Sequence, residues 1–370
     1  MYLAVLGRQN EISVAELQAL YLGVRKVGQG LATFESEEFP DIDRLGGSLK
    51  IAAKIPEKPL EFLSNLPEGK ITLGVSDYSR RASRKSAIYE ALKLKKILIR
   101  HGRSVRVVES KDAVLSTATS LHNGLSGKNE RKVELIKVED EWYRVIGVQD
   151  IDAYARRDQA RPARDARVGM LPPKLAQILI NLCGRLPEGA TVLDPFCGTG
   201  VVLQEALLMG YKAYGTDVNE RMVEYAEKNL RWLTENYRGG GASAGDFRVA
   251  LGDATDCRWE QSIDAVACEG YLGRPMSTVP PEVKLKTEKQ ECGAIILGFL
   301  KNLAGQIKSG TPVVIAAPAW LRNDGTYSRL EIIDRIEEMG YNVNNKMHEG
   351  LIYARVGQIV ARDIIILRKN

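Results

Sequence analysis

Thr191–Gly200, TVLDPFCGTG, is the stretch on which the fold turns. Thr191, Val192 and Leu193 form a short strand that runs into Asp194. A tight loop, Pro195–Gly200, then feeds an amphipathic helix beginning near Val201. Gly198 and Gly200 lack a Cβ, so the backbone can turn sharply there and approach a ligand closely. The helix beyond them presents free N–H groups at its N-terminus. An open α/β sheet builds a nucleotide-type pocket at its strand ends in this way.

Working outward from that loop, helix and strand patterns alternate. GMLPPKLAQILINLCG precedes it as a helix, with Pro172 and Pro173 tolerated in the first turn. After it come the helix VVLQEALLMG, ended by Gly210, and the strand KAYGTDV. The helix ERMVEYAEKNLRWL follows, capped by Asn219, with Met222, Ala226, Leu230 and Leu233 on one face. FRVALGD and IDAVAC read as the third and fourth strands, AIILGFLKNLAGQI as a helix, PVVIAAPA as the fifth strand and SRLEIIDRIEEMG as a helix. LIYARVGQIVARDIIIL closes the chain as a strand pair, and Gly239–Gly241 is a loop tip. The alternation predicts an α/β, doubly wound and mostly parallel sheet over 169–370, with the terminal hairpin adding antiparallel strands at one side.

Two more acids stand at strand ends. Asp217 closes the second strand, where this fold places the carboxylate that binds a ribose diol. Asp253 follows the third, where it can accept a hydrogen bond from an adenine amino group. Each alone reads equally as a cap or loop aspartate; the three together, in strand order, read as a site. The loop lacks the dinucleotide glycine pattern, with Leu203 at the third position, and G-x-x-x-x-G-K-[ST] does not occur. A carboxylate at the loop start suits an ammonium better than a phosphate. Adenosine plus an amino acid is S-adenosylmethionine.

The N-terminal part is of another kind. In residues 1–48 a strand, Tyr2–Leu6, is followed by the helix SVAELQALYLG with Ser13 as N-cap and Glu16 as its capping-box partner, then by a hairpin around Gly28–Gly30. That order predicts a small ferredoxin-like α+β module. In residues 49–150, ITLGVSDYS is a strand, and RKSAIYEALKLKKILIRHG is an amphipathic helix with Ile88, Leu92, Ile97 and Leu98 near one face. SVRVVES and a VELIKVEDEWYRVIGVQ hairpin complete the segment. Between Arg80 and Arg106 ten bases (Arg80, Arg81, Arg84, Lys85, Lys93, Lys95, Lys96, Arg100, Arg103, Arg106) face one acid, Glu90. Solubility alone does not require that excess, so the run reads as a phosphate-binding surface rather than a merely solvated face. The loop LSTATSLHNGLSGKN adds Lys128. Residues 151–168 form a basic linker (Arg156, Arg157, Arg161, Arg164, Arg167), read either as a plain connector or as one that also touches phosphates.

Composition sets outer limits. In 370 residues, 44% are hydrophobic and 27% charged, the proportions of a globular protein of two or three domains. No apolar run reaches the roughly 20 residues of a membrane span, and the start MYLAVLGRQNEIS lacks a signal-peptide pattern. The five cysteines form no C-x-x-C pair, which points away from a zinc site or disulfide framework and toward a reduced, cytoplasmic protein without metal, expected to be a monomer.

D-P-F-C-G-T-G with Y-G-T-D and G-D-A resembles the class I methyltransferases. MYLAVLGRQNEISVAELQAL, IGVQDIDAYARRD, RPARDARVGMLPPKLAQ and YARVGQIVARDI resemble, over essentially the whole chain, the THUMP-domain tRNA guanosine N2-methyltransferases that act at position ten. The resemblance implies a Rossmann-like domain with a seven-stranded sheet at 169–370, preceded by a ferredoxin-like module (1–48) and a THUMP-like RNA-binding domain (49–150). It implies S-adenosylmethionine as cofactor and tRNA as partner. Asp194, Phe196, Cys197, Gly198 and Gly200 then match the cofactor loop, Asp217 and Val218 the ribose end, Asp253 and Ala254 the adenine end, and Met170 with Pro172 the segment that closes over the methionine. Arg80, Arg81, Arg84, Lys85, Lys93, Lys96, Arg100, Lys128, Arg156 and Arg157 would hold RNA, largely through its backbone and shape.

The fourth strand departs from that family. Amino-group methyltransferases end it in [DN]-P-P-[YF], because an exocyclic amine is a poor nucleophile. Its N–H groups need an acceptor, and its flipped base needs an aromatic ring to stack on. Here the strand ends Cys268-Glu269-Gly270-Tyr271. Glu269 takes the carboxylate position and Tyr271 falls one residue early for the ring, so these two are the catalytic candidates. A non-catalytic RNA-binding protein and a DNA amino-methyltransferase are the alternatives. Cys268 reads as a buried strand cysteine rather than a nucleophile.

Overall fold

The computed structural model describes residues 1–165, 171–237, 246–344 and 351–370, in two compact units, Met1–Tyr154 and Ala155–Asn370.

The first unit is built on one eight-stranded sheet. Its strands are β1 (Tyr2–Leu6), β2 (Leu22–Gly28), β3 (Leu31–Glu35), β4 (Ser48–Lys54), β5 (Ile71–Asp77), β6 (Val105–Val108), β7 (Lys132–Val138) and β8 (Glu141–Val148), in the order β2-β3-β1-β4-β8-β7-β5-β6. β5 runs parallel to both β6 and β7, and the other pairs are antiparallel. The helices are α1 (Asn10–Leu20), α2 (Pro59–Ser64), α3 (Arg84–Arg100) and α4 (Thr117–His122).

The boundary expected at residue 48 falls on the first residue of β4, which pairs with β1 on one side and β8 on the other. Lys50 shows how closely the two expected modules are joined. Its ammonium, 2% exposed, donates to Glu134 Oε1 on β7 at 2.6 Å, to the Leu115 carbonyl at 2.8 Å and to Ser120 Oγ at 2.9 Å. Glu134 also accepts from Ser76 and Ser120, so a buried charge pair has every partner a low-dielectric interior demands.

Two local expectations shift. α1 begins at Asn10 with Gln9 at the N-cap and no side-chain cap; Ser13 lies inside the first turn and returns its hydroxyl to the Gln9 carbonyl. Glu16, also buried, accepts from the Gly46 and Gly47 N–H groups instead of closing a capping box. On α3 the buried stripe is Ala87, Ala91, Leu94 and Leu98, while Leu92 is exposed. The two alanines, with Leu94 and Leu98 at i+7 and i+11, keep one narrow face on the sheet. Ser83 and Ser86 supply the helix's capping box.

In the second unit the linker is not plain coil. Residues Ile151–Gln159 form helix α5, which begins just before the unit boundary. After it come α6 (Pro173–Leu182), β9 (Thr191–Asp194), α7 (Val201–Leu208), β10 (Lys212–Asp217), α8 (Glu220–Asn236), β11 (Phe247–Leu251), β12 (Ala265–Glu269), α9 (Glu282–Ala304), β13 (Pro312–Leu321), β14 (Tyr327–Ser328), α10 (Ile333–Glu338), β15 (Tyr341–Val343), β16 (Ile352–Tyr353) and β17 (Val360–Lys369). Seven strands run in the order β11-β10-β9-β12-β13-β17-β15, with β14 pairing β13 and β16 pairing β17. β17 is the strand antiparallel to its neighbours β13 and β15, so the doubly wound, mostly parallel, seven-stranded sheet is present, with the expected strand pair as β16 and β17. β15 and the polar first half of α9 carry too little apolar period to be read from sequence.

Order reverses between β9 and β12, which pair in parallel. α7 lies on one side of that switch point and the α9 core on the other. Leu193, Val266, Cys268, Val313 and Ile315 pack with Cys292, Ile296 and Phe299 of α9. Cys268, fully buried, is the strand cysteine anticipated above.

Candidate functional site

The crevice outside the carboxyl ends of β9, β10 and β12 collects the acids. Parallel register sets Gly215 beside Asp194, so Asp217 stands two residues beyond it, and Glu269 ends β12 on the other side. Asp194 is buried and accepts the Phe196 N–H at 3.1 Å through Oδ1. Burial pushes its carboxyl well above the usual range. The Phe196 N–H opposes this, and the charges of Asp217 and Glu269 add to it. Asp194 is therefore close enough to both other carboxylates to feel their charge. Such a pocket disfavours a pyrophosphate and suits a cation.

Asp217 is held at both oxygens, with Oδ2 accepting the Gly198 N–H at 2.9 Å and Oδ1 the Asn219 N–H at 2.9 Å. The second bond folds the strand end into the start of α8, whose N-cap is Asn219. Next to it Val218 is 71% exposed, an apolar surface at the mouth of the crevice. Asp253 lies exposed after β11. Its Oδ1 accepts both the N–H and the hydroxyl of Thr255, which hold its carboxyl below the usual range, and Oδ2 accepts nothing among the described residues.

The loop residues divide by role. Gly198, at φ +50°, has open space where a Cβ would stand, the close approach expected of it. Gly200, at φ +83°, faces the protein: a Cβ there would lie 3.2 Å from that of Ala226, so its bareness lets the start of α7 meet α8. Cys197 is buried, with Gly215 opposite; a Cβ on Gly215 would come within 3.2 Å of the thiol sulfur. Its side chain packs on β10 rather than facing the crevice. Phe196 packs edge-on against Phe299, 5.3 Å between ring centres, and Ala254 belongs to the same core. Pro172 precedes α6 as its N-cap; Met170 lies outside the described residues, as do Arg167 and Gly239–Gly241.

Adenosine with a cationic amino-acid end fits this crevice: an acid held for the ribose, a second acid with a free oxygen, an exposed valine for a flat ring, open space at Gly198 and converging negative charge.

At the acceptor end Glu269 is 16% exposed in its side chain, and Oε1 accepts from Arg362 Nε at 2.8 Å. Burial pushes its carboxyl up, and the Arg362 guanidinium, with Arg355 beyond, opposes the rise. Tyr271 follows at 38% exposure, with its hydroxyl pushed up by partial burial and by Cys292, Glu288 and Glu291 of α9. Arg362 was not singled out from the sequence. The signal was there, since Arg362-Asp363 interrupts the apolar run IVARDIIIL and a buried charge in a strand needs a partner.

Asn229 was also missed. Fully buried on α8, it accepts the Ala163 N–H and donates to the Ala163 and Thr199 carbonyls, each at 2.9 Å. Arg157 is a correction. It is buried and donates to Glu205 of α7 from Nε at 2.8 Å, so it serves the fold and not RNA. Arg221 pairs with Asp165. The basic connector is thus pinned by Arg157, Ala163 and Asp165 onto the two helices that carry the cofactor loop.

In the first unit, Arg80, Arg81, Arg84, Lys85, Lys93, Lys96, Arg100 and Lys128 are exposed, as is Arg156 on α5. Arg84 donates to the Ser110 carbonyl, while Glu90 is taken up by Lys137 at 2.9 Å. The outward face of α3 also carries Tyr89, Leu92 and Ile99, so bases and exposed apolar groups interleave. Arg103 and Arg106 are turned to local partners, the Leu66 and Pro67 carbonyls and Asn123. Among the described residues no helix is long and apolar enough to cross a membrane, and no group of three His, Cys, Asp or Glu could hold a metal.

Comparison with known proteins bears on this geometry. A family model described as a methyltransferase domain matches residues 186–316, and one described as a DNA methylase matches 119–228. A tRNA (guanine(10)-N2)-dimethyltransferase of Methanothermobacter thermautotrophicus is 32% identical over 55% of this chain and 54% of its own length. That of Pyrococcus abyssi is 44% identical over 53% and 49%. The chain therefore spans about half the length of the curated relatives it matches. A type II methyltransferase, M.MwoI of Methanothermobacter wolfeii, is 24% identical over 43% of this chain and 23% of its own. These matches make the chain similar, over about half of its length, to the tRNA (guanine(10)-N2)-dimethyltransferases, with a methyltransferase-domain match over residues 186–316 that coincides with the parallel strands of the second unit.

Proposed function

We propose that the chain is an S-adenosylmethionine-dependent RNA methyltransferase that methylates the exocyclic N2 amine of a guanosine in tRNA, at a position like that of its relatives. The observation that carries the reading is the convergence of Asp194, Asp217 and Glu269 at the switch point of a methyltransferase sheet. The names of the relatives supply the tRNA and the guanine amine.

When bound, S-adenosylmethionine supplies a methyl group on a sulfonium that becomes a neutral thioether as the methyl passes to nitrogen. Asp194 faces the ammonium of its amino-acid end, Asp217 the ribose hydroxyls, and Asp253 Oδ2 the adenine amine. Glu269 Oε2 accepts an N–H of the target amine, which orients the nitrogen lone pair, and conducts the displaced proton to water. Tyr271 offers its ring to the flipped base. The exposed bases of α3 and Lys128 hold the RNA backbone in the first unit, and Arg156 of α5 adds a further exposed base. The protein works without metal, as a monomer in the cytoplasm.

Labelled S-adenosylmethionine with total tRNA, followed by nucleoside analysis, tests the reading. N2-methylguanosine is expected with the native chain and is lost in Glu269→Ala. Label on adenine or cytosine, or on DNA in a parallel reaction, moves the chain to the DNA methylase side of its matches. Tight tRNA binding without transfer makes it a binding protein.

A further inference from the structure

We propose that Arg362 is a positioning residue of the acceptor site, fixing Glu269 by one carboxylate oxygen so that the other is presented to the target amine. The proposal rests on the functional reading above and adds to it a residue from a strand two places along the sheet.

The geometry begins with register. Glu269 pairs with Ala316 on β13, and Ala316 pairs with Ile364 on β17. Arg362 lies two residues from Ile364 and pairs with Pro318, so it shares a sheet face with Glu269. Two strand spacings separate them, about 10 Å, which an extended arginine spans. What lies between is small: Ala316 is fully buried and leaves room for the side chain to cross β13. At the end of that reach Nε donates to Glu269 Oε1 at 2.8 Å, and Nη1 donates to Gln358 Oε1 at 3.2 Å.

An arginine only 4% exposed is strongly unfavourable to bury unless its charge is paired. Its partner is the carboxylate that stands where relatives in chemistry carry [DN]-P-P-[YF]. Only Oε1 is engaged; Oε2 accepts no bond among the described residues, and the side chain keeps 16% exposure. A carboxylate held at one oxygen and open at the other is an oriented acceptor. Glutamate is one methylene longer and more mobile than aspartate, and here the two prolines that stiffen the motif are absent. The Arg362 bond supplies the constraint that they would have given.

Charge matters as well as position. Asp194 stands on the β9 side and feels the charge of Glu269, Cys268 precedes Glu269 in the strand, and Arg355 attracts it from the exposed turn before β17. Burial favours a protonated Glu269, which would offer a hydroxyl where an acceptor is needed. Arg362 and Arg355 oppose this.

The test uses the full chain with Arg362→Gln, Arg362→Lys and Arg355→Gln. Cofactor binding serves as the control that the fold survives. The first readout is the pH profile of kcat/KM for tRNA methylation. With Arg362→Gln the acid limb is expected to move up by about one pH unit, a roughly tenfold loss below it that narrows as pH rises. Arg362→Lys, which keeps charge but not the fork, is expected to move it less. The second readout needs no turnover: infrared difference titration of the Glu269 carboxyl, with Glu269→Gln as the blank, should show the same upward move. A uniform fall at every pH with an unmoved carboxyl titration overturns the proposal, as does a shift from Arg355→Gln equal to that from Arg362→Gln. If the native chain methylates no tRNA, the functional reading fails while the titration still decides the Arg362–Glu269 pairing.

Discussion

In the proposed site, Asp194 would carry the contact with the ammonium of the cofactor. Its burial, with Asp217 and Glu269 nearby, raises its carboxyl well above the ordinary aspartate range, so in the free protein it retains a proton to higher pH than an exposed aspartate does. An acid whose folded value is raised weakens the fold as pH climbs through that range. A ligand ammonium favours the ionised form. Binding is therefore expected to release a proton, and to tighten by up to about tenfold per pH unit below the Asp194 range before levelling off. Calorimetry in two buffers of different ionisation heat reads the released proton directly. Asp194→Asn should abolish the linked proton and weaken S-adenosylmethionine binding by at least about tenfold; a binding heat independent of buffer in the native chain would remove Asp194 from this role. Residues such as Asp194, Asp217 and Asp253 were legible because each stands at the end of a recognisable strand. For Arg362 the buried charge was legible but its partner was not, and for Asn229 neither was, because the partners Glu269 and Ala163 lie 93 and 66 residues away and only the fold brings them near.

At the scale of elements, the connector is where the structure says most. Asn229 satisfies three backbone groups at once, the Ala163 N–H and the carbonyls of Ala163 and Thr199, in a place water does not reach. Asn229→Ala should leave these groups without partners and cost about 3 kcal/mol, read from the denaturant midpoint of the full chain. Because Thr199 is in the cofactor loop, S-adenosylmethionine affinity should fall with it; a loss under about 1 kcal/mol would show that the strap re-forms its bonds elsewhere. The sequence concealed this element. Arg156, Arg157 and Arg161 beside Pro162 read as solvated linker, since composition cannot distinguish an arginine that meets water from one that meets Glu205. The same limit misplaced the buried face of α3. Small alanines carry little hydrophobic signal, yet Ala87 and Ala91 are what touches the sheet, while the larger Leu92 looks outward. The parallel strands of the second unit were plain because both faces of a parallel sheet are covered, and covered strands read as continuous apolar runs.

Over the whole molecule the charge is divided by unit. A net +5 hides an anionic crevice in the second unit and an uncompensated row of bases on α3 in the first, where Glu90 is already taken by Lys137. If the first unit holds the RNA and the second the cofactor, the two affinities should separate. Lys85, Lys93 and Lys96 are exposed and form no ion pair among the described residues, so reversing them to glutamate should disturb no packing. Each lysine that neutralises a phosphate contributes roughly 0.7 to 0.9 to the slope of log K against log salt. The triple variant should therefore bind tRNA more weakly at low salt and lose roughly two units of that slope, converging on the native chain as salt rises. S-adenosylmethionine affinity should stay within about twofold. An unchanged slope would mean that α3 faces solvent and that Tyr89, Leu92 and Ile99 are exposed for another reason. A parallel fall in cofactor affinity would mean that the charge of the first unit is felt at the crevice of the second, and that the division of labour drawn from the sequence does not hold.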